Sequence, residues 1–463
     1  MNSCVIIILG ATGDLAYRRL IPAVYRLVAD KKLEKFVFVG AAIEDITIDR
    51  IFDMASTFIN DKDEKVWQEI LKNSYYQKVD FDLLDDFVAL NDYVSKLEKE
   101  YNLEGRRLIY LASPPSYFCS VTQNCVSSLL MKKTSKDSSS WNRIVYEKPF
   151  GKDAISAKQI NNCIAGALNE EQVFRVDHYL TKEIVGNVQL VRFTNCVFEP
   201  LWNNNYIDQV NILLEEKLCV ENRGPYYDKY GAMKDVVQNH MLALVSLIAM
   251  EQPKMLTADC VRDARVDVLK NVAFVDGIFG QYRGYKQENG VGSRSKTETF
   301  ASLLLKVNNQ RWQGVPFYLK TGKCLGEKRT EIQVKFKKTE CLLLKGCPTN
   351  SNYLTINIYP EGTFSLSLNA KKPGISDEIV PIEMEFCHSC RFSEDSLGSY
   401  EAIFQEVMRG DQSISVRFDE IEYAWNIIDK IMKMNLPLHE YEKGSGGPKE
   451  IHDFEEKYGI RIK

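Results

Sequence analysis

The run Phe174-Arg175-Val176-Asp177-His178-Tyr179-Leu180-Thr181-Lys182-Glu183 gathers an imidazole, a phenol, an ammonium and two carboxylates within a few residues. If the segment after Tyr179 is helical, His178 and Lys182 stand four apart on one face, with Tyr179 beside them. Three donors on one face suit an anionic group such as a phosphate monoester, whose oxygens accept from several donors at once. Asp177 then points elsewhere and is available to orient a different partner. The competing reading is a solvated, charged helix start with i,i+4 support. A second constellation, Asp235-Val236-Val237-Gln238-Asn239-His240, opens the most apolar helical stretch, Met241 to Ile248. There Asp235 and Asn239 are four apart and share a face, and His240 is one residue round. A lone histidine on such a helix is usually a satisfied core residue. A polar trio ahead of a buried run is different, because buried polar groups must find partners. Asp177 is a candidate partner: a carboxylate that accepts from one imidazole nitrogen fixes the tautomer and leaves the other nitrogen as a base. Only His178, His240, His388, His439 and His452 compete for that role.

The elements that must carry these residues are read from periodicity. A buried strand Val5–Leu9 runs into Gly10-Ala11-Thr12-Gly13-Asp14-Leu15, then an amphipathic helix with Leu20, Val24, Leu27 and Val28 on one face, then a strand at 36–40. This βαβ unit places glycines at its first turn, where free N–H groups at a helix start cradle a pyrophosphate. The match to the dinucleotide fingerprint is partial, because Ile8 stands where its first glycine would be, and a tight turn without ligand is the alternative. Helical patterns fill 48–75 and 83–101. A strand at 107–112 stops at Ser113-Pro114-Pro115, an extended exit at the ligand edge of an open sheet. Residues 134–140 read as a polar surface loop. A strand at 143–146 ends in Glu147-Lys148-Pro149-Phe150-Gly151, which makes Lys148 either a ligand-edge group or a surface ammonium. A helix over 153–169 and a strand over 173–176 close this half. Beyond residue 185 strands dominate, at 207–215, 300–307, 317–320, 331–336, 353–359 and 363–370, several alternating as half-exposed antiparallel strands do. Helices interrupt at 230–250 and 417–434. The fold expected is an α/β Rossmann-type domain over residues 1–177, followed over 178–463 by an α+β domain on a large, mostly antiparallel sheet.

A chain of 463 residues exceeds one core and suggests two domains or three. Its net charge of −4, without a basic stripe, argues against nucleic acid as a partner. The apolar start through Leu9 is too short for a signal peptide, and no window approaches the roughly 20 apolar residues of a membrane span. Twelve scattered cysteines suit a reducing cytoplasm and free buried thiols. The pair Cys387-His388-Ser389-Cys390 lacks the second ligand pair that zinc requires.

These motifs, together with Arg311-Trp312-Gln313-Gly314-Val315-Pro316-Phe317, Gly322-Lys323 and Gly444 to Pro448, fall in the order found in the glucose-6-phosphate dehydrogenases, and the chain resembles that family from about residue 5 to 448. Asp-His-Tyr-Leu-x-Lys-Glu is the specific part. The glycine turn and Glu-Lys-Pro also occur in other Rossmann sugar oxidoreductases. The resemblance implies that His240 takes the proton from the C1 hydroxyl while hydride leaves C1 for the nicotinamide, and that Asp177 holds the imidazole. It implies that His178, Tyr179 and Lys182 bind the 6-phosphate and that Lys148 sits between sugar and cofactor. Glu216 and Asp235, with Asn239 beside them, would meet sugar hydroxyls. Lys323 and Lys328 match late cationic positions near the substrate, with Arg329 as an alternative to Lys328. Gly10, Ala11, Thr12, Gly13, Asp14, Leu15, Pro114 and Lys148 would line the cofactor. The product would be 6-phospho-glucono-1,5-lactone, in the first step of the oxidative pentose phosphate pathway, by chemistry that needs no metal.

Two departures bear on this. Thr181 stands where the family usually has glycine, which a helix tolerates with a small adjustment. Ile43 stands where NADP-preferring members carry an arginine for the 2′-phosphate. Glu44 or Asp45 would repel that group or accept from a ribose 2′-hydroxyl, although Glu44 lies about 31 residues past Gly13 rather than the usual roughly 20. Arg19, on the first helix, is the remaining candidate cation. NADP is the family default and NAD the alternative that Ile43 opens. A homodimer or homotetramer built on the broad sheet is expected, and the short tail predicts no second, structural nucleotide site. Two rival functions remain: another sugar oxidoreductase of the glucose–fructose oxidoreductase type, and a catalytically silent sugar-phosphate sensor.

Overall fold

Strand β1 (Ser3–Leu9) is apolar from Cys4 to Leu9, the stretch that is buried on both faces. On one side Ile6 and Ile8 pack with Leu20, Val24 and Leu27, and on the other Ile7 and Leu9 pack with Phe87, Val94 and Val121. In this computed structural model residues 3–103, 105–134, 140–339, 350–360, 362–374, 378–387, 390–391 and 398–463 are described. The chain divides into two compact units, the first Met1–Thr181, Thr257–Asp259 and Leu397–Ile421, the second Lys182–Leu256, Cys260–Ser396 and Glu422–Lys463.

The first unit holds β1, β2 (Lys35–Ala42), β3 (Ser74–Lys78), β4 (Arg107–Leu111), β5 (Asn142–Glu147) and β6 (Val173–Val176), all parallel, in the order β3-β2-β1-β4-β5-β6. The order reverses between β1 and β4, the topological switch point at which open α/β sheets bind ligands. Helices α1 (Ile21–Ala29), α2 (Ile48–Ser56), α3 (Glu64–Lys72), α4 (Leu84–Tyr101), α5 (Phe118–Ser127) and α6 (Ala154–Ala167) connect the strands. The continuous helical reading of 48–75 is corrected to two helices and an edge strand. Asp63 caps α3 by accepting from Lys65 N at 2.8 Å, and Ser74-Tyr75-Tyr76-Gln77-Lys78 pairs with β2. The expected polar loop at 134–140 falls, for 135–139, outside the described residues. The later segment from 398 to 421 also belongs to this unit. Its helix, Ser399–Arg409, buries Phe404 and Val407 against the sheet core, and Arg143 donates to the carbonyl of Met408 at 2.8 Å. Ser415 Oγ accepts from Arg175 N at 3.0 Å, and Val416 N donates to Arg175 O at 2.9 Å, which covers the outer edge of β6.

The second unit is built on β7 (Ile207–Glu215), β8 (Val272–Tyr282), β9 (Phe300–Val307), β10 (Pro316–Gly322), β11 (Arg329–Phe336), β12 (Tyr353–Tyr359), β13 (Thr363–Lys371), β14 (Ile379–Cys387) and β15 (Leu438–Tyr441), in the order β14-β13-β12-β11-β7-β10-β9-β8-β15. Only β7 with β10 and β8 with β15 run parallel, so the sheet is mostly antiparallel as expected. The strands read at 207–215, 300–307 and 353–359 have those bounds, whereas β8, β14 and β15 are additional. Helices α7 (Glu183–Thr194), α8 (Gly224–Ala232) and α9 (Leu242–Ala249) accompany the sheet, with a π-helical segment Met233–Met241 joining α8 to α9. Contrary to the expectation of free thiols, Cys219 is joined to Cys324 and Cys387 to Cys390 in disulfides. No described helix is long and apolar enough to cross a membrane.

Because Phe404 is fully buried in the first unit's core, Phe404→Ala should cost about 3–5 kcal/mol of that unit's stability. Chemical denaturation measures it; a loss under about 1 kcal/mol would show that the late segment is a dispensable cover.

Candidate active site

In the first unit the chain leaving β1 turns back on the end of β2. Gly10 N and Ala11 N donate to Ala41 O at 2.8 and 3.2 Å, and Gly13 N donates to Gly10 O at 3.1 Å. Gly10 has φ +98°, and a Cβ there would lie 2.5 Å from Ala112 O, so no other residue fits. The turn leads into a π-helical segment, Ala16–Leu20, and then α1. A pocket of about 200 Å³ opens at this edge, lined by Gly10, Thr12, Gly13, Ile43, Glu44 and Pro114 among others. Thr12 Oγ1 donates to Glu44 Oε2 at 2.8 Å, and the Tyr76 hydroxyl donates to the Glu44 carbonyl at 2.5 Å. The acid is thus pinned beside the glycine turn despite its long sequence distance. The delay is taken up by the helical stretch and loop before β2. Ala11 is fully buried behind the turn, Leu15 is half-buried, and Asp14 is exposed and paired with Arg18 at 2.5 Å. Arg19 does not line the pocket of Ile43. It lines a separate cavity of about 400 Å³ with Arg18, Arg26, His178 and Tyr400.

At the end of β5, Glu147 is held by the Tyr110 hydroxyl. Burial raises its carboxyl to about 7, the neighbouring Asp177 adds to the rise, and Tyr110 and Lys148 oppose it. Asp177 is itself buried, and its Oδ1 accepts from Tyr179 N at 2.9 Å. Leu180 N donates to Asp177 O at 3.0 Å and Thr181 Oγ1 to His178 O at 2.9 Å. The segment 178–182 is therefore a turn, not the helix expected, and the shared helical face of His178 and Lys182 is withdrawn. α7 starts only at Glu183, with Lys182 as its extended N-cap. A side-chain oxygen at Asp177 that satisfies an N–H two residues on is what favours a turn over a helix. The threonine hydroxyl at 181 closes the same turn.

In the second unit Lys182 is lowered in pKa by burial and by the nearby charge of Lys328. Lys328 Nζ also lies 3.9 Å from the centroid of the Tyr359 ring. Arg329, the alternative, is instead engaged by Glu215 and Glu331. Lys323 is buried, donates to Glu216 Oε1 at 2.6 Å and lies 5.7 Å from the centroid of the Tyr227 ring. Asp235, also buried, accepts from the Tyr226 hydroxyl at 3.2 Å. The π-winding alters the geometry of the polar trio. In an α-helix His240 would stand about 140° round from Asp235, whereas i→i+5 winding sets residues five apart over one another. Asn239 folds back on its own helix, with Oδ1 accepting from His240 N at 2.7 Å and Nδ2 donating to Lys234 O at 3.3 Å. Sequence reasoning missed Glu147 in the first unit and Tyr226 in the second; the strand-end position of Glu147 was the available signal for the first.

Residues 7–187 match the family model described as glucose-6-phosphate dehydrogenase, NAD binding domain, and residues 189–462 match glucose-6-phosphate dehydrogenase, C-terminal domain. The chain belongs to the glucose-6-phosphate dehydrogenase family. Relatives named glucose-6-phosphate 1-dehydrogenase from Chlamydia pneumoniae and Bacillus subtilis are 35% and 36% identical, each covering 98% of this chain and 95% and 97% of their own. A solved glucose-6-phosphate dehydrogenase in complex with glucose 6-phosphate superposes with a TM-score of 0.92 at 30% identity, covering 100% of this chain and 98% of that one. A levoglucosan dehydrogenase in complex with NADH, at 10% identity and a TM-score of 0.54, shares the fold alone. Within the glucose-6-phosphate dehydrogenase family, then, this chain carries an acid beside its glycine turn.

The raised Glu147 has a sign that pH reveals. Its folded-state value, about 7, exceeds the ordinary 4.5, so between these values the native state holds a proton that the unfolded state releases. Its contribution is complete below about pH 4.5 and is lost as pH rises through about 7. Glu147→Gln, which keeps an acceptor for Tyr110, should gain in melting temperature relative to the parent as pH rises from 4.5 to 7.5. Parallel melting curves across that range would contradict the assignment. Glu298 and Glu406, shifted the same way, leave part of the parent's slope in the variant.

Proposed function

We propose that this chain is a glucose-6-phosphate 1-dehydrogenase, oxidising glucose 6-phosphate at C1 to 6-phospho-glucono-1,5-lactone with a nicotinamide dinucleotide as acceptor. The observation that carries the reading is the second unit's set of side chains. Lys328 approaches Lys182 closely enough to lower its pKa, and Lys323 with Glu216 and a buried, polar, histidine-bearing helix complete the set. In a chain matched end to end by relatives of that name, such a set suits a phosphorylated sugar. His178, Tyr179 and Lys182, with Lys328, take the 6-phosphate. Glu216, Asp235 and Asn239 take sugar hydroxyls, and Lys323 and Lys148 fix the ring. His240 accepts the C1 hydroxyl proton, and Asp177 holds the imidazole and stabilises its protonated form. The bound dinucleotide supplies a hydride acceptor at C1. The turn Gly10-Ala11-Thr12-Gly13, braced by its own N–H groups at 10, 11 and 13, lets the phosphates approach the main chain at Thr12 and at the helix start that follows, and Pro114 shapes the neighbouring wall. Residues 1–177 serve the cofactor, and 178–463 serve the substrate and self-association into a homodimer or homotetramer. Exposed Ile382, Met384 and Phe386 on β14 support the latter. The setting is cytoplasmic.

His240→Asn should leave glucose 6-phosphate affinity within a few-fold while turnover falls on the order of 10²–10⁴-fold. A large rise in KM with little change in kcat would overturn the base assignment.

The family default is NADP, but this chain's own residues favour NAD. Among the described residues lining the dinucleotide pocket are Glu44 and Asp80 and no lysine or arginine. A 2′-phosphate would meet two carboxylates, whereas a 2′-hydroxyl would find in Glu44 an acceptor already fixed by Thr12. Initial rates with glucose 6-phosphate and NADP or NAD side by side should give NAD a kcat/KM at least equal to that of NADP. A preference for NADP of about 100-fold, near 2.7 kcal/mol, would remove Glu44 from the role. Absence of turnover with either, together with glucose 6-phosphate binding, would establish the silent sensor; equal activity on free glucose would establish the rival oxidoreductase.

A further inference from the structure

Glu298 lies in the second unit outside every role assigned above. It is 5% exposed, just ahead of β9. Its Oε1 accepts from Met233 N at 3.0 Å and its main-chain oxygen accepts from Ala232 N at 2.9 Å. These are the amides that begin the π-helical segment carrying Asp235 and His240. Gly231, immediately before them, has φ +63° and ψ −179°, so the chain breaks from α8 and restarts there. A Cβ at 231 would run into the Glu298 carboxyl. Glycine and glutamate are therefore fitted to each other, and the restart has little freedom. The next residue reaches the other side of the site: Thr299 O accepts from Lys323 N at 2.9 Å and Thr299 Oγ1 from Tyr282 N at 3.0 Å.

We propose that Glu298 is a positioning residue for the dehydrogenase reaction, its side chain fixing the start, and hence the direction, of the helix that presents His240. The inference rests on the reading of His240 as the base. The required property is reach. Burial raises the Glu298 carboxyl to about 7, with the Met233 amide opposing the rise, yet an acceptor oxygen faces Met233 N whether or not the group is ionised. A side chain of equal length with a carbonyl oxygen preserves the contact, and one shorter by a methylene withdraws it. Because Lys323 is tied to a main-chain oxygen of Thr299, shortening residue 298 disturbs the histidine helix and leaves the lysine in place.

The test compares Glu298→Gln and Glu298→Asp with the parent and with His240→Asn, measuring kcat, KM for glucose 6-phosphate and melting temperature. A displacement of about 1 Å in a catalytic group costs on the order of 10²-fold, so Glu298→Asp should lose about that much kcat with KM within about threefold, and Glu298→Gln should stay within about threefold of the parent in both. Aspartate as active as the parent, or glutamine as impaired as aspartate, would overturn the positioning role, the second outcome pointing to charge. A merely structural role would lower the melting temperature of Glu298→Asp without touching the kcat of the folded enzyme. If His240→Asn keeps full turnover, the base reading falls; if it collapses while Glu298→Asp does not, only the positioning inference falls. Should Glu298→Asp fail to fold, Gly231→Ala, whose Cβ pushes the carboxyl aside, must show the same loss of kcat at unchanged KM, and parental kcat there would overturn the inference.

Discussion

A main-chain N–H or C=O that leaves a ladder inside a protein must find another partner, and meeting that demand fixes much of the candidate site. Where β1 ends, Gly10 N and Ala11 N turn to Ala41 O, and the turn so made is the one proposed to cradle the dinucleotide. Where β7 ends, Glu216 N donates to Gly322 O, Leu325 N donates back to Glu216 O, and Cys324 N donates to Leu218 O. Those bonds set Glu216 and Lys323 side by side before their ion pair contributes anything. The pair follows from the backbone, and the Cys219–Cys324 bond lies along the same two strands of chain.

The same demand governs the helix of His240, at both ends. The carbonyls that close α9 are taken by Trp202 Nε1 on Ile248 O, Trp312 Nε1 on Ala249 O, and Arg192 on Ile248 O and Met250 O, at 2.8 to 3.0 Å. The amides that open the preceding segment are taken by Glu298. Between two anchored ends the chain accommodates its residues by winding wider, and the π-segment falls where the polar trio stands. π-winding is rare and recurs at functional sites. Here it spans the segment that carries Asp235 and His240.

Much of this was legible in the sequence, for definite reasons. The strands at 207–215, 300–307 and 353–359 declare themselves by apolar periodicity and by turn residues at their ends, and β1 by its unbroken apolar run. β3 did not, because Ser74-Tyr75-Tyr76-Gln77-Lys78 is a short edge strand abutting a helix of similar polarity. β8 hid behind the irregularity near Asp276 and behind Gly277 and Gly280. The return of 398–421 to the first unit has no local signature, since it depends on an apolar helix face finding a distant sheet. In the candidate site, the local backbone was not readable. A turn at 178–182 replaces a helix because Asp177 and Thr181 satisfy main-chain groups at short range, and neither a hydrophobic period nor a propensity reports that. The π-winding was equally invisible, since no periodicity in 233–241 reports it and the groups bonded at its two ends are distant in sequence.

On the proposed reading, the placement of Lys328 near Lys182 suits an anion. Burial and the Lys328 charge both push the Lys182 pKa down, so the arrangement disfavours its own charged state. Arg329, a single residue along the chain from Lys328, is engaged by Glu215 and Glu331. The contrast between adjacent residues is informative: one is spent on the fold, the other is held where like charge accumulates. On the proposed reading, a phosphate monoester between the two ammonium groups would reverse that balance, because each would then favour its neighbour's charged form through the shared dianion, which suits a phosphorylated sugar over the sugar alone.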